Sequence, residues 1–118
     1  YRRWVTTMQS LQSKLQRLGE AFAGSVPNSY HYYRMMMDLP YLVWQEDSED
    51  NSFNADNSRA EQQIHGTTDY FTKTEYDPAV DAIQDCLEGL PNVSWRLNSV
   101  QYEENVNVIH YEWEWWCL

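Results

Sequence analysis

The chain has 118 residues, of which 42% are hydrophobic and 22% charged, and its formal net charge is −10 at pH 7. This length suits one domain with one core (1–118), and the apolar fraction excludes global disorder. The acidic balance, with basic residues scattered along the chain, argues against a protein that grips the phosphate backbone of DNA.

The N-terminal residues carry no targeting signal. No run approaches the roughly 18 apolar residues of a membrane span, and the start lacks the pattern of a signal peptide, so we expect a soluble intracellular protein with no membrane partner. Because the chain begins with Tyr1, Met8 is the expected natural start. Residues 1–7 are expected to be added sequence or disordered.

The first element is an amphipathic helix. Its apolar residues recur at spacings of three and four: Met8, Leu11, Leu15, Leu18 and Phe22. This period predicts a helix over 8–23 that starts near Thr6 or Thr7 and is stopped by Gly24 and Pro27. Two heptads are too few for a coiled coil, so the helix is expected to pack on a sheet.

A connection over 25–38, with room for a short strand, leads to a predicted hairpin. The strands are expected at 40–46 and 60–72, around an acidic loop at 46–59. Gly66 inside the second strand indicates a bulge or a close approach of another backbone.

A second helix and a second hairpin follow. Asp77 as cap and Pro78 at the first helical position predict a helix over 78–89, and strands are predicted at 93–103 and 106–115 with a turn at Asn105. The order is α-β-β-α-β-β. It predicts an α+β fold, with a four-stranded, mainly antiparallel sheet of two β-hairpins and both helices packed on one face.

The last predicted strand has two contrasting sides. Alternation puts Tyr111, Trp113 and Trp115 on one side, and His110, Glu112 and Glu114 on the other. We favour the aromatic side as core beneath the first helix, because a sheet needs large apolar side chains somewhere. A subunit interface and a ligand platform are the alternatives.

The sequence offers little for catalysis. Cys86 and Cys117 lack a metal-binding spacing, and the familiar motifs of hydrolases, phosphate loops and dinucleotide sites are absent. Cys86 is expected to be a small buried hydrophobe. A metal site built from His65, Asp69, His110 and Glu112 is conceivable if the hairpins lie side by side, but charged residues on the wet face of a sheet explain the same pattern. We expect no enzyme, no cofactor and no metal.

Four segments together resemble a known family of phage proteins. They read LPYLVW, NADNSRAEQQIHGTTDYFTK, DPAVDAIQDCL and WRLNSVQYEENVNVIHYEWEW, and they span Leu39 to Trp115. This succession resembles the tail-terminator, or tail-to-head joining, minor tail proteins of long-tailed bacteriophages and prophages. Residues 30–37 and 116–118 depart from the pattern.

The resemblance implies a structural virion protein with no enzymatic role. Its members are similar to terminators that form a six-membered ring on the head-proximal end of the tail tube. The implied partners are other copies in a hexamer, the tail tube protein and the head-completion or connector protein, while DNA passes through without specific binding. The implied location is the virion tail or neck, after assembly in the host cytoplasm.

Charged residues of two regions are candidates for a subunit interface or for the channel. They are Glu46, Asp47, Glu49, Asp50, Asp69, His110, Glu112 and Glu114. The acidic segment 46–57 is expected to be mobile in the isolated subunit and to face the channel or a neighbour in the ring. An alternative function is a small acidic phage- or prophage-encoded inhibitor that mimics the charge of nucleic acid. A metal-dependent hydrolase is less favoured.

Overall fold

The protein combines two helices with a five-stranded sheet. The computed structural model describes residues 10–34, 38–50 and 62–118, so the predictions for residues 1–7 lie outside it. In chain order the elements are α1 Leu11–Ser25, β1 Ser29–His31, β2 Tyr41–Glu49, β3 Ile64–Thr72, α2 Pro78–Gly89, β4 Val93–Glu103 and β5 Val108–Cys117.

The strand order across the sheet is β1-β2-β3-β5-β4. β1 pairs with β2 in parallel, and all other neighbours are antiparallel. The α+β class and both hairpins, β2–β3 and β4–β5, are confirmed. The prediction of a four-stranded sheet was wrong, because the connection after α1, where the sequence left room for a short strand, contributes β1 to the sheet edge. The sheet is therefore mixed rather than purely antiparallel.

Each helix begins at the residue that follows its N-terminal cap. The Ser10 side chain accepts a hydrogen bond from the Ser13 N–H, so α1 begins at Leu11 and the predicted start near Thr6 or Thr7 was wrong. Asp77 caps α2 as predicted, with Pro78 at the first helical position. Neither of the two helices in the described residues combines the length and apolar character needed to cross a membrane.

The predicted acidic loop is partly strand. β2 continues through Glu49, with a bulge between Glu46 and Ser48 where it pairs with β3. The boundary at residue 46 was therefore wrong, because the pairing with β3 continues past the acidic residues. Residues 51–59 of that loop lie outside the described residues. In the last hairpin, β4 lies where it was predicted. The turn after it is longer than predicted, so β5 begins at Val108 and not at residue 106.

The core lies between the helices and one face of the sheet. Trp113 and Trp115 are fully buried there, which confirms that the aromatic side of the last strand is core. Trp113 donates to Gln84 of α2, so its polar contact is with the second helix and not the first. Cys86 is half-buried beside this core, while Cys117 is fully buried. Both thiols are free.

Gly66 is a point of close approach. A Cβ added there would lie 2.4 Å from the Gln45 carbonyl oxygen and 2.4 Å from the Trp115 ring. The expectation of a close backbone approach is confirmed, and the bulge lies opposite, in β2.

Candidate interaction surface

The face of the sheet opposite the helices is polar and aromatic, and we call it the open face. Burial in β3 alternates strictly, with the even-numbered residues buried and the odd-numbered ones half-exposed. Cross-strand pairing aligns Asp69 with Glu112 and Thr67 with Glu114. Both helices pack on the other face, where the buried core lies. The open face is therefore the side on which the strands carry their polar and charged side chains.

Four ionisable side chains form a line across four strands of the open face, which we call the ion row. His65 Nδ1 lies 2.6 Å from Asp47 Oδ1, and His65 Nε2 lies 2.9 Å from Glu114 Oε2. Arg96 Nε donates to the other oxygen of Glu114 at 2.5 Å. Acidic and basic groups thus alternate from β2 to β4. The bulge in β2 contributes Asp47 to the row.

The ion row favours the charged form of its histidine. Burial alone would lower the pKa of His65, but hydrogen bonds to Asp47 and Glu114 outweigh it and raise that pKa. An imidazole can donate from both nitrogens only when it is protonated. Hydrogen bonds from His65 and Arg96 in turn lower the pKa of Glu114. The row is therefore a charge network.

A second histidine contacts a carboxylate further along the same face. His110 Nε2 lies 2.7 Å from Asp69 Oδ1. Burial raises the pKa of Asp69, and the facing charge of Glu112 adds to this, whereas His110 opposes it. Glu112 lies near Asn98 and Ser99, whose side chains each donate to it at 3.4 Å. Two like charges thus face each other across β3 and β5.

Aromatic rings extend this part of the open face toward β2. Tyr41 stacks on Phe71 with ring centroids 4.8 Å apart, and Phe71 stacks on His110 at 4.2 Å. The Arg34 guanidinium lies 4.7 Å from the centroid of the Tyr41 ring. These residues border a shallow groove of about 450 Å³. Sequence reasoning missed them, because only the register aligns the rings of three strands.

The third histidine lies on the helix side, at the β1 edge. His31 stacks on Trp44 at 3.8 Å and donates toward Glu46 at 2.8 Å, while the Tyr32 hydroxyl also donates to Glu46. Burial would raise the pKa of Glu46, but these two hydrogen bonds and the His31 charge lower it. Sequence reasoning placed Glu46 at the boundary between the predicted strand 40–46 and the acidic loop, and it did not single out His31. The parallel β1 brings the two together.

The structure divides the predicted candidate residues among several places. Asp69, His110, Glu112 and Glu114 lie on the open face, and Asp47 reaches it from the bulge. Glu46 lies on the helix side. Glu49 accepts from Gln62 at 3.5 Å, and the Asp50 N–H donates to the Gln63 carbonyl, so both lie at the end of the β2–β3 hairpin.

The conceivable metal set is not brought together. His110 contacts Asp69, but His65 is bonded to Asp47 and Glu114 at the other end of the face. Among the described residues, no group of three or more His, Cys, Asp or Glu could hold a metal ion. Within the same residues, no hydrogen bond links His110 to a hydroxyl or thiol, as a general-base dyad with a nucleophile would need.

No protein-family model and no curated protein sequence matches this chain.

Proposed function

We propose that this protein is a phage tail terminator, a non-enzymatic virion component that forms a ring on the head-proximal end of the tail tube. The proposal rests on the resemblance over residues 39–115. Its partners would be other copies in a hexamer, the tail tube protein and the head-completion or connector protein. It would act in the tail or neck of the virion, after assembly in the host cytoplasm.

The observation that best supports this role is the charged open face. Each ring subunit needs surfaces for neighbours, tube and connector in addition to its core. The open face provides an ordered set of polar groups on rigid strands, and five of the candidate residues lie on it: Asp47, Asp69, His110, Glu112 and Glu114. On this surface both ring nitrogens of His65 contact carboxylates, which leaves that histidine no free nitrogen to act as a base and suits a role in recognition.

The net charge of −10 suits a ring through which DNA passes. An acidic lumen repels the phosphate backbone and so keeps DNA from adhering during ejection. The acidic residues at the end of the β2–β3 hairpin, Glu49 and Asp50, are candidates for the lumen or for a contact with a neighbour.

The test is capping of tail tubes assembled without this protein. We expect a ring at one end only, visible by negative-stain electron microscopy. The Glu112→Lys variant is expected to fold, since a lysine beside Asp69 relieves a like-charge contact, and to lose capping. Glu75→Lys, at an exposed site between β3 and α2, is the matched control and should cap normally.

Binding along the whole tube, at both ends equally, or not at all would contradict the terminator assignment. A stable monomer that instead captures a DNA-binding protein would favour the charge-mimicking inhibitor.

A further inference from the structure

One edge of the sheet is a long strand with a free outer side. β4 is the last strand in the order β1-β2-β3-β5-β4, and it pairs with β5. In the part of the chain that the structure describes, no strand lies on the other side of β4, so its outward N–H and C=O groups have no partner in the sheet. Such a row of backbone groups is a template for one more strand.

The two edges of the sheet differ in length and in protection. The opposite edge, β1, has only three residues, and α1 lies beside it. β4 has 11 residues and contains neither Pro nor Lys, which are common means of blocking an edge. A bulge at Asn98 divides β4 into two regular runs. The first run meets α2, where Trp95 donates to Glu88, and we call the second run, residues 99–103, the β4 edge.

The side chains of the β4 edge alternate between apolar and polar. Val100 and Tyr102 lie on the helix side and are 52% and 59% exposed. Ser99 and Gln101 alternate with them and lie on the open face. A sixth strand beside the β4 edge would therefore place its own apolar side chains against Val100 and Tyr102, and its polar side chains on the open face.

The charge around the β4 edge is negative. Glu103 and Glu104 are exposed at its end. On the adjacent strand Glu112 accepts hydrogen bonds from neutral side chains, and among the described residues no basic group is bonded to it. The one basic residue of β4, Arg96, lies in the first run and is bonded to Glu114. A second copy, with the same acidic groups and a net charge of −10, would be repelled, whereas a basic segment would be attracted.

We propose that a basic, extended segment of another protein docks on the β4 edge as a sixth strand. Its backbone pairs with the outward groups of residues 99–103, its apolar side chains cover Val100 and Tyr102, and its basic side chains approach Glu103 and Glu112. In strand addition of this kind, main-chain hydrogen bonds provide affinity and alternate side chains provide specificity. The inference goes beyond the proposed ring and holds whether or not the protein caps tail tubes.

The probe is the acetylated and amidated peptide KVKVKVK, which as a strand has valine on one side and lysine on the other. Nuclear magnetic resonance of the isotope-labelled protein locates the binding site by its chemical-shift changes, and amide hydrogen exchange identifies the N–H groups that become bonded. We expect the shift changes to concentrate at residues 99–103. Exchange there should slow at every second amide, because alternate N–H groups of an edge strand point outward.

The first control is the same peptide methylated on every backbone nitrogen. It keeps the side chains and their charges but cannot donate a backbone hydrogen bond, so it should not bind. The second control is the acidic peptide EVEVEVE, which keeps the valines and the backbone donors. It should bind about tenfold more weakly or less, because its charges meet those of Glu103 and Glu112.

Two double variants test the site from the side of the protein. Val100→Lys with Tyr102→Lys should weaken binding of KVKVKVK by about tenfold or more, since it removes the apolar contact and adds positive charge. Gln12→Lys with Gln16→Lys adds the same charge at exposed positions on α1 and is the matched control, with an expected change below about twofold at 0.15 M salt. Circular dichroism and the unfolding midpoint report whether both variants fold.

Equal binding of the methylated peptide would overturn the inference, because backbone pairing would then not hold the segment. Shift changes away from residues 99–103, strong binding of the acidic peptide, or equal weakening by the two double variants would do the same. If exchange at residues 99–103 slows without peptide as the protein concentration rises, the occupant is a second copy and the proposed partner is wrong.

Discussion

Gly66 shows how one residue without a side chain allows a tryptophan to fill the core. The Trp115 ring occupies the space where a Cβ at Gly66 would lie, and its indole N–H donates to the Thr68 hydroxyl at 2.9 Å. We predict that Gly66→Ala lowers the free energy of unfolding by about 1–3 kcal/mol, because either Trp115 or β2 must move. Urea denaturation measures the change.

The matched control is Gly24→Ala near the end of α1, where an added Cβ meets nothing within 4 Å. It should be neutral or stabilising by up to about 1 kcal/mol, since alanine favours helix. If both substitutions had equal effects, packing against Trp115 would not be the reason for the glycine.

Asp77 has two roles, and only one of them could be predicted from the sequence. The cap was predictable, since Asp followed by Pro before an apolar stripe is a local helix-start signal. The same carboxylate also accepts from the Tyr70 and Thr72 hydroxyls, each at 2.7 Å, and these contacts depend on the end of β3 lying beside the helix. Lys14 is similar: it is buried and donates to the Gln62 carbonyl, a partner 48 residues away. No local pattern encodes that partner.

At the level of elements, the ion row joins four strands and should make stability depend on pH. The pKa of His65 is raised in the folded state. Its contribution is therefore fully present below the unfolded pKa of about 6.5 and is lost as pH rises through the folded pKa. We predict that the difference in unfolding free energy between wild type and His65→Gln shrinks as the pH rises above about 6.5. Denaturation series at several pH values measure it.

His110→Gln provides a comparison at the other histidine of the open face, which contacts one carboxylate where His65 contacts two. A difference between wild type and His65→Gln that did not change with pH, or that grew as pH rose, would contradict the ion row as a source of stability.

A helix, strand or turn could be predicted where its sequence pattern lies within a few neighbouring residues. The α2 cap, the run of β4 and the turn at Asn105 follow from nearby residues. The three-residue β1 did not follow, because a strand this short has no clear period and forms by pairing with β2. The end of β2 was misplaced because its acidic residues are typical of loops, while pairing with β3 and His65 keeps them in the sheet.

For the molecule as a whole, the buried face of the sheet could be predicted from the sequence, whereas the open face could be predicted only in part. Alternation in β5 identified the buried aromatic side and the charged side. The partners of the charges depend on strand order, and pairing of β3 with β5 sets them. The exposure of Val100 and Tyr102 on β4 was not predictable, because what a helix leaves uncovered depends on where it packs.

The charge of the whole molecule should oppose association between copies of it. Copies with a net charge of −10 repel one another, and exposed Glu103 and Glu104 lie at the end of the edge strand β4. Salt screens these charges, with a Debye length of about 10 Å at 0.1 M, but does not screen apolar burial. We therefore predict that self-association strengthens as the salt concentration rises, measured by sedimentation velocity at fixed protein concentration. The variant Glu103→Gln with Glu104→Gln should associate more readily in low salt and respond less to added salt. Association that weakens with salt would indicate an interface built from ion pairs, and the subunit contact would then have to be sought on the open face.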